Sequence, residues 1–209
     1  MYAFLKIILH LSYLLAYSLP TLLNNKYILH NIIVYFTFRK DLIYLNDLDN
    51  RDVYLGAVAS MRGSSKYPNI SGYVWFLELE DGVEVCAEIQ NLPKYKQKTA
   101  TSAQIGPHGF HIHVGSTCGD PNGDNPFSTA GAHYNPTNQP HGNHVGDLPV
   151  LIPSDGRAQM CFFTNKFTVD EIIGKTVVIH EGPDDYTTQP SGNSGAKIAC
   201  GKIIRADSV

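Results

Sequence analysis

The 209-residue sequence predicts an all-β domain, either a sandwich or a barrel. Short segments of period-two alternation recur along the chain, each bounded by Gly, Pro, Asp or Asn. Glycine is plentiful, at 18 residues, and the sequence has no long heptad-like run. With 43% hydrophobic and 17% charged residues, the composition is typical of a globular protein with a core.

The predicted strands begin near residue 52. The first two are Tyr54–Met61 and Ile70–Glu80, and Asp81-Gly82 signals a hairpin to a returning strand at Val83–Ile89. In the second strand one face is apolar throughout and the other becomes charged. The later candidates are Ala158–Phe163, Thr176–His180 and Ala199–Ile204, and Phe167–Ile173 allows one helical turn at most. Pro93–Ser102 is polar and lysine-rich, as expected of a surface connection.

Residues 1–51 differ in composition from residues 52–209. No acidic residue precedes Asp41, and Ile7–Leu23 is mostly apolar behind Lys6, which resembles a signal peptide or an anchor. That run falls short of a comfortable membrane span. We expect a targeting or anchor segment with a polar linker at Asp41–Arg51. The alternative is that this segment is not part of the working protein.

The net charge of −3 gives no support to a nucleic-acid partner, which usually meets a clustered basic face. The four cysteines are too few for a disulfide scaffold and lack a paired zinc-type spacing, so at most one or two bridges are expected.

Histidines are concentrated in one stretch. Of the nine, all but His10 and His30 lie between His108 and His180. In a strand, side chains at i and i+2 share a face, so His111 and His113 point together. His133, His141, His144 and Asp147 add a second group, in a loop rich in Gly, Asn and Pro that cannot build a core. A metal ion is the economical way to order such a loop. The sequence therefore predicts a metal site.

Five motifs in this order resemble the copper-zinc superoxide dismutases. They are Gly109-Phe-His-Ile-His, Ala130-Gly-Ala-His-Tyr-Asn-Pro, His144-Val-Gly-Asp-Leu, Val178-Ile-His-Glu-Gly-Pro-Asp-Asp and Gly195-Ala-Lys-Ile-Ala-Cys-Gly. The resemblance covers about Tyr54 to Ile204. It implies a Greek-key β-barrel of about eight antiparallel strands, with long metal-binding and electrostatic loops.

The resemblance also implies copper and zinc as cofactors, superoxide as substrate and antioxidant defence as the role. Copper would be bound by His111, His113, His133 and His180. Zinc would be bound by His133, His141, His144 and Asp147. His133 would bridge the two ions and transfer protons. The ligand types agree, since imidazole suits both metals and zinc with three nitrogens and a carboxylate is a closed structural site.

Other positions take their expected roles from the same resemblance. Asp184 would join a copper ligand to a zinc ligand, and His108 would be structural. Cys118 and Cys200 would form a disulfide, which implies an oxidising, extracytoplasmic compartment; the alternative is cytoplasmic. Cys86 and Cys161 are then expected to be core thiols. A homodimer and membrane association through the N-terminus are possible, and the partner that supplies copper is not identified.

The chain departs from the family at Lys197, where the family has arginine beside the copper. Lysine keeps the positive charge but loses the planar fork of donors, so we expect weaker docking of superoxide. The gap from His141 to His144 and the segment Asp185–Asn193 are both short. The second also lacks the charges that guide substrate in some relatives.

Two other functions compete with catalysis. The first is a non-enzymatic or weakly active relative that binds zinc or copper for structure, storage or delivery. The second is an adhesion or recognition sandwich, which has no need of the histidines. All four copper positions and all four zinc positions are filled, and this favours an enzyme.

Overall fold

The structure is a computed structural model that describes residues 54–206. The predicted targeting or anchor segment and linker, residues 1–51, lie outside the described residues. Within residues 54–206, no helix has the length and apolar character needed to cross a membrane.

Seven antiparallel strands form one curled sheet, which confirms the all-β prediction. The strands are β1 (Tyr54–Gly63), β2 (Ser71–Leu79), β3 (Gly82–Gln90), β4 (Phe110–His113), β5 (Ala158–Thr164), β6 (Thr176–His180) and β7 (Lys197–Arg205). Their order in the sheet is β4-β6-β7-β1-β2-β3-β5. Strands β3 and β4 are consecutive in the chain but far apart in the sheet, so long connections cross the barrel as in Greek-key folds.

An eighth strand is not formed within the described residues. The segment 147–151 lies beside β4 but meets its neighbours only at isolated bridges, His111 to Asp147 and His108 to Leu151. The family resemblance implied about eight strands, and here the segment that carries Asp147 runs beside β4 without forming a continuous ladder.

The two-residue turn of the β2–β3 hairpin lies one residue earlier than the predicted Asp81-Gly82. Leu79 pairs with Gly82, so Glu80 and Asp81 form the two-residue loop and Gly82 already belongs to β3. A Cβ at Gly82 would lie 2.6 Å from the Thr164 carbonyl oxygen. Glycine is therefore required here by the close approach of β5.

The core lies between the two halves of the curled sheet. On β2 the inward side chains are Val74 and Phe76, both fully buried, whereas Tyr73 on the opposite face is 50% exposed. Other fully buried core residues are Phe110, Ile112, Leu151, Ile172, Ile179 and Ile203. A short helix, α1 (Val169–Ile172), closes one end. Thr168 and Glu171 form a capping box at its start, which agrees with the predicted single turn.

The expectation that Cys86 and Cys161 are core thiols is wrong. They form a disulfide, because the β3–β5 register places them directly opposite each other with a Cα–Cα distance of 4.1 Å. Their side chains lie on the outer face of the sheet, where Cys161 is exposed. Closing a loop of 75 residues stabilises the fold by about 4 kcal/mol in the chain-entropy model.

The second disulfide joins Cys118 to Cys200 over 82 residues. Cys200 lies in β7 and is fully buried, and Cys118 lies in the loop after β4. The bond therefore ties the loop that follows the two β4 histidines to a central strand. The two disulfides include all four cysteines of the chain.

Candidate metal centre

Strands β4 and β6 position three histidines. His111 and His113 alternate along β4, and both are buried, at 0% and 2% exposure. β6 pairs with β4 and ends at His180, which is also buried. The loop after β4 returns to pair His113 with His133 through an isolated bridge. Four histidines that are distant in the sequence therefore meet at one edge of the sheet.

The four residues predicted to hold copper come together as a compact cluster. One ring nitrogen from each of His111, His113, His133 and His180 lies within 4.8 Å of the others. Nε2 of His113 and Nε2 of His180 are 3.3 Å apart. Nδ1 of His111 and Nε2 of His133 are both buried without a hydrogen-bond partner.

The opposite ring nitrogens of this cluster are held by oxygen acceptors. His113 Nδ1 donates to the Gly131 carbonyl at 2.8 Å, and His180 Nδ1 donates to the Gly195 carbonyl at 3.0 Å. These bonds fix each ring with its proton on Nδ1, which leaves the Nε2 lone pair directed into the cluster.

The four residues predicted to hold zinc form a second cluster that shares His133. Ligand atoms of His133, His141, His144 and Asp147 lie within 4.8 Å of one another. Nδ1 of His133 is 2.9 Å from Asp147 Oδ1, so the two nitrogens of this ring face the two clusters. Nδ1 of His141 and of His144 are 3.2 Å and 3.4 Å from Asp147 oxygens, without hydrogen-bond geometry.

Asp184 joins the two clusters through one buried carboxylate. Oδ2 accepts from His111 Nε2 at 2.6 Å, and Oδ1 accepts from His141 Nε2 at 2.8 Å. Oδ1 also accepts from the Tyr186 backbone N–H at 2.7 Å. Gly192 packs against this junction, since a Cβ there would lie 1.7 Å from Asp184 Oδ1. The structure places Asp184 between His111 and His141, and its role in joining a copper ligand to a zinc ligand stays a prediction.

The protonation states suit metal binding. Burial lowers the pKa of His111 to about 4, against the opposing effect of its bond to Asp184. Burial also lowers the pKa of His113 and His180 well below the usual value. For Asp147, burial raises the pKa, but the His133 hydrogen bond and the neighbouring imidazoles outweigh it and lower the pKa to about 2. At neutral pH these imidazoles are neutral and the carboxylate is ionised, as metal ligands must be.

The donor atoms therefore fit a pair of metal ions. Within residues 54–206, five buried histidine nitrogens have no hydrogen-bond partner, namely His108 Nε2, His111 Nδ1, His133 Nε2, His141 Nδ1 and His144 Nδ1. Buried polar atoms are costly when they are left unpaired. Four of the five belong to the two clusters, where ligation would satisfy each of them, and the fifth, His108 Nε2, lies outside both.

His108 stands apart from both clusters. It is fully buried, and its Nδ1 donates to the His180 carbonyl at 2.9 Å. It thus supports the backbone of a cluster residue, in line with the structural role expected from the sequence.

Lys197 is the first residue of β7 and pairs with His180 across the β6–β7 register. Its side chain is partly buried, and this burial lowers the pKa of its ammonium group. It forms no ion pair with any other residue from 54 to 206. A cation without a counterion thus lies next to the predicted copper cluster.

Comparison with known proteins agrees with this geometry. Residues 70–203 match the family model described as copper/zinc superoxide dismutase (SODC). The chain belongs to the copper/zinc superoxide dismutase family. It is 33% identical over 149 residues to the Cu-Zn superoxide dismutase of Deinococcus radiodurans, covering 63% of this chain and 76% of that protein. It is 35% identical over 144 residues to that of Legionella pneumophila, covering 65% and 79%.

A solved structure of the same family extends the likeness to three dimensions. The Cu/Zn superoxide dismutase from Brucella abortus superimposes with a TM-score of 0.56 at 27% identity, covering 72% of this chain and 99% of that one. The family expected from the five sequence motifs is thus confirmed.

Sequence reasoning missed two side chains that contact the backbone of the loop carrying His141 and His144. Lys166 Nζ donates to the His144 carbonyl at 3.2 Å, and Gln189 contacts the His141 backbone. Both reach backbone atoms, which give no residue-specific signal in a sequence. Only the fold reveals these contacts.

Asp184→Asn tests the link between the clusters. Asparagine removes the negative charge and one acceptor oxygen, so we expect zinc affinity to fall about 10- to 100-fold, the range typical of such outer partners. Zinc content after dialysis against a graded chelator is the measurement. Asp124→Asn, at an exposed carboxylate, is the matched control. Equal zinc retention in the two variants would contradict the role of Asp184.

Proposed function

We propose that this chain is a copper-zinc superoxide dismutase. The reaction converts two superoxide ions and two protons into oxygen and hydrogen peroxide. The main support is the pair of buried clusters that share the His133 ring. Both clusters contain ring nitrogens without a hydrogen-bond partner. Family membership supports the same activity.

In this proposal the first cluster holds copper through His111 Nδ1 and the Nε2 atoms of His113, His133 and His180. Copper, when bound, supplies the two oxidation states that allow one superoxide to be oxidised and the next reduced. The chain's contribution is to orient the rings. Gly131 and Gly195 fix two of them through their carbonyls, and Asp184 fixes His111.

The second cluster, His133, His141, His144 and Asp147, is proposed to hold zinc. Three nitrogens and one carboxylate form a closed set, which suits a structural ion without redox chemistry. His133 is the residue proposed to transfer a proton, through Nε2. Its Nδ1 already faces Asp147 and the zinc set, so Nε2 is the ring atom that can gain and release a proton on the copper side.

Lys197 is proposed to attract superoxide. The substrate is a small anion, and Lys197 is a partly buried cation adjacent in register to His180. An ammonium group supplies charge but not the two parallel donors of a guanidinium, so the ion would be attracted yet loosely oriented.

We also propose an extracytoplasmic location. Two disulfides use all four cysteines, and such bonds persist in oxidising compartments. Secretion or membrane anchoring through residues 1–51, and a homodimer, stay predictions for which cell fractionation and sedimentation velocity are the measurements.

His113→Ala tests catalysis. Wild-type protein is expected to bind copper and zinc and to consume superoxide. The variant is expected to lose more than about 100-fold in rate, because mutation of residues that only contact the ligands already lowers activity about 10- to 100-fold. Bound metal and superoxide decay are measured on the same samples. Val114→Ala, at the exposed neighbour, is the control.

Normal dismutation by wild-type protein that contains no copper would overturn the assignment. Metal binding without superoxide consumption would instead favour a storage or delivery protein, the alternative expected from the sequence.

Lys197→Arg is expected to raise the rate of superoxide consumption, because the guanidinium fork can dock the anion as well as attract it. Lys197→Met removes the charge and should lower the rate by about tenfold, at the low end of steering effects. Stopped-flow decay of superoxide at several ionic strengths measures both, and the salt dependence should weaken in Lys197→Met. An unchanged or lower rate in Lys197→Arg would count against this role.

Thiol trapping tests the compartment. Alkylation of intact cells before lysis, followed by mass spectrometry without reduction, should find no alkylated cysteine in this protein, since both bonds are expected to be formed. Alkylation at all four cysteines would place the protein in a reducing compartment and refute the extracytoplasmic proposal.

A further inference from the structure

The segment Asp185–Asn193, short and poor in charge, is locked by its own contacts. The Asp185 carboxylate accepts from the backbone N–H groups of Thr187 and Thr188, at 2.9 Å and 2.7 Å, and from both of their hydroxyls. Gly192 N donates to the Thr188 carbonyl at 2.7 Å, and Asp185 N donates to the Gly192 carbonyl at 3.0 Å. This loop is thus pre-formed and can act as a rigid support.

Gln189 extends from this support to the backbone of His141. Its Oε1 accepts from the His141 N–H at 2.8 Å, and its Nε2 lies 3.4 Å from the His141 carbonyl oxygen. Nε2 also donates to the Thr187 carbonyl at 3.1 Å, which fixes the orientation of the amide. The side chain therefore occupies the place that a neighbouring strand's peptide group would take beside His141.

His141 has no other backbone support of this kind. Within residues 54–206, no backbone carbonyl accepts from its N–H, and no backbone N–H donates to its carbonyl. Its neighbours are held differently, since Gly142 N and His144 N both donate to Asp147 Oδ2, at 2.8 Å and 3.0 Å. Gln189 is therefore the contact that fixes the main chain of His141.

The same loop also holds the His141 ring. Asp184, immediately before the Asp185–Asn193 segment, accepts from Nε2, and Nδ1 then faces the zinc set. The segment that contains Gly142 packs closely against the segment that contains Tyr186, because a Cβ on Gly142 would lie 2.1 Å from the Tyr186 carbonyl oxygen. The segment from Asp184 to Asn193 therefore contacts His141 at two points, its ring and its backbone.

We propose that Gln189 is a positioning residue for zinc, which holds the backbone of His141 so that Nδ1 is directed at the ion. The inference rests on the proposed function. It assigns the shortened loop a structural role in metal selectivity that does not depend on charge. Gln189 itself is exposed, so water competes for its bonds and the effect is that of a single hydrogen bond.

Gln189→Met tests the inference, because methionine keeps the length of the side chain and removes both polar atoms. The dissociation constants of Zn²⁺ and Cu²⁺ are measured by chelator competition on the otherwise metal-free full chain. We expect the zinc constant to rise about two- to fivefold, the fold-change of one modest hydrogen bond, with the copper constant unchanged. The visible spectrum of Co²⁺ bound at the zinc position should change as well.

Gln104→Met is the matched control, since Gln104 also donates one side-chain bond to a backbone carbonyl, that of Gly106 at 2.8 Å. An unchanged zinc constant in Gln189→Met would overturn the inference, as would an equal loss in Gln104→Met or an equal loss of zinc and copper. In each case normal metal binding and superoxide consumption by the wild type would leave the proposed function intact. Failure of the wild type to bind zinc would overturn both.

Discussion

The Asp184 carboxylate is the interaction on which the rest of the centre depends. It accepts from one ring of each cluster, His111 and His141, and is itself held by the Tyr186 backbone. Hydrogen bonds to these donors hold its pKa well below the usual range, although burial acts in the opposite direction. It therefore stays ionised, and both rings keep their protons on Nε2 and direct Nδ1 into the two clusters. One buried charge sets the tautomers of two sites at once.

This arrangement requires the three segments that carry Asp184, His111 and His141 to keep fixed positions relative to one another. Asp184 follows β6, His111 lies on β4, and His141 belongs to the loop that leaves β4. The β4–β6 pairing positions His111 and the end of β6, and backbone bonds from Tyr134 N–H to the Ile112 carbonyl and from Ile112 N–H to the Gly146 carbonyl hold two parts of the loop on β4. The Cys118–Cys200 bond, the Gln189 contact and the Lys166 contact each tie that loop to a part of the barrel. The loop is thus held at several separate points, and metal binding has less disorder to overcome.

The features that could be predicted from the sequence are those that depend on local patterns and on the order of the motifs. The strands β1 to β3 and β5 to β7, the helical turn and the family were confirmed, because each depends on alternation, turn residues or contiguous motifs. Pairing between distant strands could not be predicted this way. Cys86 lies on β3 and its partner Cys161 lies 75 residues later, and only the β3–β5 register brings them together. On β2 the wholly apolar face proved to be the outer one, since the neighbouring strands bury Val74 and Phe76.

The net negative charge of the chain makes the positive charge of Lys197 important for an anionic substrate, although its side chain is only partly exposed. The chain carries a net charge of −3, and the exposed Asp185 lies close to the centre, so the overall field does not favour an approaching anion. At physiological salt, charges more than about 8 Å apart in solvent are largely screened from each other. Lys197 lies opposite His180 in the β6–β7 register, and Asp185 directly follows Asp184, so both charges are expected to act at the centre. Lys197, which forms no ion pair within residues 54–206, is therefore the cation proposed to attract superoxide.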